Sequence, residues 1–194
     1  MSLPPTIEAP AGVLFLCLGN ICRSPLAEGA MRTAMTAQTP QAWHLLALHK
    51  CRLLVIDSAG TGAWHAGEPP DTRSIRVAHE HGVDISTQRA RQLTNDDFAR
   101  FDWIVTMDED NLETASRRRP PGSRHQRARL VSFVDFVAGH TSARPDRVPD
   151  PYYGELSGFR DVWDLLMRGM PTLVAAVSDS LGGPVAAASP NSPP

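Results

Sequence analysis

The chain has 194 residues, 42% of them hydrophobic and 21% charged, and a formal net charge of -2, proportions that suit one globular domain with a sizeable core. That balance gives no electrostatic reason to expect nucleic acid or a membrane as partner, and no apolar run approaches the length of a membrane span. Three cysteines, Cys17, Cys22 and Cys51, with no Cys-x-x-Cys pair, exclude a secreted disulfide framework and a zinc-ribbon pattern.

In chain order, residues 1–10 are rich in Pro, carry acid rather than base and lack an apolar core. They read as a disordered tail and not as a secretory signal, and a reducing, cytoplasmic setting follows. The apolar run at 13–16 is short enough for a buried parallel strand, and 24–37 follows it as a helix. Over 36–52, Pro40 is expected to interrupt one helix, while Trp43, Leu45, Leu46 and Leu48 suggest a second short one, an extension with no assigned role. Further strands are expected at 53–56, 103–106 and 128–133, and further helices at 71–81, 108–118 and 155–180, the last broken near Pro171.

The basic cluster Arg117-Arg118-Arg119 before Pro120-Pro121-Gly122 reads as a solvated helix end and loop. Residues 182–194 form a second disordered tail, leaving a single domain over 11–181. Alternating strands and helices argue a doubly wound α/β fold: a four-stranded parallel sheet with helices on both faces. Function is then expected at the carboxyl ends of its strands.

The stretch Cys17-Leu18-Gly19-Asn20-Ile21-Cys22-Arg23-Ser24 stands where the first strand turns into the first helix. Such a turn aims successive backbone N–H groups into one small concavity suited to a dianion. Arg23, separated from Cys17 by five residues, adds a planar fork matched to two phosphate oxygens. Loops of this kind favour the nucleophilic thiolate of a cysteine, and the Ser24 hydroxyl can donate to that sulfur. A lone cysteine at a strand end is often only a small hydrophobe. Gly, Asn, Arg and Ser at these offsets instead make the stretch a phosphate site with a nucleophile inside it.

With the remaining segments, the sequence resembles the low-molecular-weight protein tyrosine phosphatases. The resemblance is carried by residues 13–28 around this loop, Asp57-Ser-Ala-Gly-Thr-Gly-Ala-Trp-His65, His81-Gly-Val-Asp-Ile-Ser86 and Arg89-Ala-Arg-Gln-Leu93. Met107-Asp108 with Asn111-Leu112, and Asp150-Pro-Tyr-Tyr-Gly154, complete it. It implies hydrolysis of phosphotyrosine in proteins, and of small aryl phosphates, through a phosphocysteine on Cys17. No metal or other cofactor is needed, and inorganic phosphate is the product. Arg23 and the amides from Leu18 to Arg23 would stabilise the transferring phosphoryl group, and Asp150 would serve as general acid and then base.

The resemblance further implies that Ser58 and His81 hold the side chain of Asn20, whose residue type tolerates a left-handed backbone. It places Trp64, Tyr152 and Tyr153 at the substrate rim with Leu18 and Ile21, makes the two tyrosines candidates for phosphorylation themselves, and matches Asp108 to a recurring acid without giving its partner. Cys22, close to Cys17 in the same curled loop, becomes a candidate resolving thiol under oxidant.

Two enzymatic alternatives share the fold. An arsenate reductase needs further cysteines downstream, and none follows Cys51; a protein arginine phosphatase typically has Thr where this chain has Ile21. A phosphate-binding module without catalysis would lack one of Cys17, Arg23 and Asp150, and all three are present.

Overall fold

The computed structural model describes residues 10–122, 127–137 and 145–183. The chain opens with β1 (Ala11–Cys17), α1 (Arg23–Ala34), α2 (Pro40–Lys50) and β2 (Leu54–Gly60). There follow α3 (Thr72–Glu80), the short α4 (Asp97–Arg100), β3 (Trp103–Thr106) and α5 (Glu109–Arg118). Last come β4 (Arg129–Ser132), a 3-10 turn (Phe133–Phe136) and the long α6 (Leu156–Ser180). Most of both terminal tails lies outside the described residues.

The four strands form one parallel sheet in the order β2-β1-β3-β4. Val13, Leu14, Phe15 and Leu16 are completely buried, which only a central strand covered on both faces achieves. Their side chains alternate. Val13 and Phe15 join Leu26 and Met31 of α1, Val77 of α3 and Phe159 of α6. Leu14 and Leu16 join Phe98 of α4, Phe101 and Ala115 of α5. The chain leaves β1 for β2 on one side and returns through β3 on the other, so the topological switch point falls at the carboxyl end of β1. Cys17 is the residue there.

The second short helix expected after Pro40 is α2, which carries Trp43, Leu45, Leu46 and Leu48. Pro40 stands in its first turn, where its missing N–H costs nothing. The Thr39 side chain accepts the Ala42 N–H at 3.1 Å and caps that end. Ala42 and Leu45 then bury against α6, and His44 Nδ1 lies 3.0 Å from Ser178 Oγ. Contrary to expectation, Pro171 does not break α6, which runs 25 residues without interruption. Pro171 faces solvent, whereas Met170, Leu173 and Val174 around it are buried. Core packing on one face outweighs the hydrogen bond lost on the other.

Candidate active site

The site is built from the turn between β1 and α1. Asn20 takes the left-handed conformation (φ 57°) that lets the chain curl back on itself. Its Nδ2 donates to Ser24 Oγ at 3.0 Å, and its Oδ1 accepts the Arg91 N–H at 2.9 Å. The carbonyls of Cys17, Leu18 and Ile21 accept the N–H groups of Thr61, Gly62 and Asp71, each at 2.8 Å. A peptide plane whose carbonyl is tied outward turns the following N–H inward, so these bonds aim the loop amides into the concavity. Gly60 allows β2 to close on the loop, since a Cβ there would come within 2.8 Å of the Leu18 carbonyl oxygen.

Cys17 Sγ lies at the base of this cradle, 2% exposed. It accepts the Asn20 N–H at 3.3 Å and stands 3.1 Å from Ser24 Oγ. Ser24 Oγ is also 3.3 Å from the Ala59 carbonyl, so its single proton can turn to either acceptor. Cys22 is buried beside the loop. Burial pushes its thiol far above the ordinary range, and Asp71, Cys17 and Asp150 add to the effect.

Arg23 is 3% exposed and forks between two acids. Nη1 donates to Asp108 Oδ2 at 2.6 Å and to the Val148 carbonyl at 3.3 Å; Nη2 donates to Asp150 Oδ2 at 2.7 Å. Burial works against the guanidinium charge, but Cys17, Asp150 and Asp108 outweigh it and hold the group above its ordinary range. Asp108 thus acquires the partner that the sequence withheld. Its other oxygen accepts the Asn111 N–H at 2.8 Å, capping α5.

Above the cradle opens a cleft of about 330 Å³, walled by Leu18, Ile21, Trp64, Tyr152 and Tyr153, with Cys17, Arg23 and Asp150 reaching into it. Trp64 is 72% exposed, its ring lying over Gly62, and Tyr153 is 97% exposed. The Tyr152 and Tyr153 rings meet edge to face at 4.9 Å. His65 also lines the cleft, with Nδ1 2.7 Å from Glu68 Oε2. Its place beside Trp64 in the resembling segment was the signal, but nothing in the residue type distinguished a rim histidine from a surface one.

Ser58 and His81 do not hold Asn20. The Ser58 hydroxyl is spent on Glu28 Oε2 at 2.8 Å, and His81 caps the end of α3 and stacks on Trp163 at 4.6 Å. The tasks assigned to them fall to Ser24 and the Arg91 backbone. Glu28 is almost wholly buried, and burial raises its carboxyl to about 7 against the opposing pull of Arg32 and Ser58. In the basic cluster, Arg117 pairs with Glu113 and Arg118 donates to the Thr61 carbonyl at 2.6 Å, which fits its reading as a helix end.

Comparison with known proteins finds relatives that cover most of the chain. The sequence model described as "Low molecular weight phosphotyrosine protein phosphatase" matches residues 12–181. A protein of that name from Schizosaccharomyces pombe is 40% identical over 151 residues, covering 78% of this chain and 86% of the relative. The human protein of the same name is 35% identical over 162 residues, covering 83% and 92%. Among solved structures, a protein tyrosine phosphatase from Entamoeba histolytica, with Hepes in its active site, superposes with a TM-score of 0.71 at 33% identity. That match covers 88% of this chain and 99% of the other.

Proposed function

This chain belongs to the low molecular weight phosphotyrosine protein phosphatase family, and on that premise we propose that Cys17, Arg23 and Asp150 carry out a two-step hydrolysis of phosphotyrosine in proteins. The observation that supports these roles most directly is the fork of Arg23. It joins the phosphate cradle to Asp150 across 2.7 Å, bringing nucleophile, anion clamp and proton donor to one cleft. An entering phosphate dianion competes with Asp150 for Nη2, while Asp108 keeps Nη1. Binding therefore frees the Asp150 carboxyl for the leaving oxygen.

In the first step Cys17 Sγ attacks phosphorus in line, the S–P bond forms and the P–O ester bond breaks. Asp150 gives its proton to the departing phenolate. In the second, water attacks phosphorus and passes a proton to Asp150, the S–P bond breaks and the Cys17 thiolate returns with release of phosphate. The loop amides and Arg23 hold the equatorial oxygens in both steps. Ser24, at 3.1 Å, steadies the sulfur as attacking and leaving group.

The aromatic rim selects the ester. A phenyl ring held between Trp64 and Tyr152 carries its phosphorus to the depth of Cys17, which the shorter serine side chain does not span. A panel of phosphotyrosine, phosphoserine and phosphoarginine peptides tests this. Turnover is expected with phosphotyrosine; preferential turnover of phosphoarginine overturns the assignment in favour of an arginine phosphatase.

The same reading places one catalytic domain over residues 11–181 in a reducing cytoplasm, which three free cysteines support. Among the described residues, no helix is long and apolar enough to cross a membrane. In that setting Cys22 acts as a resolving thiol. Peroxide oxidises the Cys17 thiolate to sulfenic acid, the Cys22 sulfur displaces water from it to form a disulfide, and a dithiol reductant restores both thiols. Cys22→Ser is expected to lose the recovery of activity that dithiothreitol gives after peroxide; unchanged recovery contradicts the pairing.

A further inference from the structure

The proton donor of the reaction sits on a turn that has little of its own to hold it. Among residues 150–154 only Pro151 is buried. Within the turn, the Tyr152 N–H donates to Asp150 Oδ1 at 3.1 Å and the Gly154 N–H to the Pro151 carbonyl at 2.9 Å. Asp150 Oδ2 meets Arg23, a bond that must open when phosphate binds. Something other than Arg23 has to keep the carboxyl in place at that moment.

Arg73, in the first turn of α3, meets that requirement. Its Nη1 donates to the Gly154 carbonyl at 2.7 Å and its Nη2 to the Tyr152 carbonyl at 3.0 Å, gripping the far half of the acid-bearing turn. The guanidinium is itself held. Nε and Nη2 donate to the two Asp71 oxygens at 2.9 and 2.7 Å, and the plane lies 4.4 Å from the centre of the Phe159 ring.

Asp71 in turn is fastened to the phosphate loop. Its N–H donates to the Ile21 carbonyl at 2.8 Å, its side chain caps α3 at the Arg73 N–H, and Ser74 Oγ reaches the Cys22 carbonyl at 3.4 Å. An unbroken series of hydrogen bonds therefore runs from the cradle, through Asp71 and Arg73, to the turn that carries Asp150. Arg73 lies outside the cleft lining.

We infer that Arg73 is a positioning residue for proton transfer: it locks the acid-bearing turn to the phosphate loop, so that Asp150 stays aimed at the ester oxygen after Arg23 has turned to the phosphate. This rests on Asp150 being the general acid. Its consequence is selective. A mispositioned acid slows expulsion of a strongly basic leaving group and matters little for one that departs unprotonated.

The test compares kcat/KM for phenyl phosphate, a poor leaving group, with p-nitrophenyl phosphate, a good one, in wild type, Arg73→Ala, Arg73→Lys and Asp150→Asn. Both Arg73 variants are expected to lose about tenfold or more in the phenyl-to-nitrophenyl ratio, in the direction of Asp150→Asn, since positioned acid catalysis contributes roughly 10²–10⁴-fold. Lysine keeps the charge but cannot grip one carboxylate and two carbonyls together. An equal fall with both substrates, or full restoration of the ratio by Arg73→Lys, overturns the inference and reduces Arg73 to a fold or charge effect. A ratio unchanged in Asp150→Asn overturns the general-acid assignment itself, and the role of Arg73 with it.

Discussion

Cys17→Ser is expected to abolish turnover of aryl phosphates and phosphotyrosine peptides while leaving phosphate binding within a few-fold of wild type. The substitution changes one atom, at a position 2% exposed at the base of the cradle. The groups proposed to hold the dianion stay in place, because the carbonyls of Cys17, Leu18 and Ile21 remain tied outward to Thr61, Gly62 and Asp71. Arg23 keeps its two acids. What disappears is the proposed nucleophile, since a serine hydroxyl is a weak nucleophile without an adjacent general base. Steady-state hydrolysis of p-nitrophenyl phosphate measures the loss, and titration calorimetry with inorganic phosphate measures the retained binding. A variant that still turns over at a rate near wild type contradicts the role given to Cys17.

Arg23→Lys is expected to cost about 10³-fold or more in kcat, since an arginine on a transferring phosphoryl group contributes roughly 10³–10⁵. In the proposed mechanism the fork serves Asp108 and the substrate at once, with Nη1 on the acid at 2.6 Å and Nη2 exchanging Asp150 for a phosphate oxygen. A lysine ammonium is a point charge that cannot span both. Arg23→Ala is expected to lose stability as well, by about 1–3 kcal/mol, because Asp108 is left largely buried without its partner. The double variant Arg23→Ala/Asp108→Asn separates the two effects. Denaturant unfolding is expected to recover much of the lost stability, whereas activity stays low. If activity returns with stability, the guanidinium serves the fold and not the phosphoryl group.

Much of this architecture was legible because its signals are local. The run 13–16 reads as a buried strand from apolar continuity alone, and the loop after it from residue types at fixed offsets; the sheet and the cradle follow. Proline misled at Pro171, where its effect depends on surroundings. Pro171 is tolerated because its neighbours are held in the core, a condition not visible in the proline.

Partnerships across long separations were the other gap. Asp108 and Arg23 lie 85 positions apart, Arg73 and Gly154 81, and no local pattern pairs them. Ser58 and His81 show the converse. Both have the chemistry to hold Asn20, but the buried Glu28 claims the hydroxyl and Trp163 claims the ring.

The central claim is that the phosphoryl group passes through the sulfur of Cys17. It is tested most directly by mixing the reduced enzyme with p-nitrophenyl phosphate, quenching within the first turnovers and mapping the modified peptide by mass spectrometry. A phosphoryl-group mass increase confined to the peptide bearing Cys17, and absent from Cys17→Ser, is the expected result. Turnover with no phosphorylated Cys17, or with the phosphoryl group on another residue, would contradict the account.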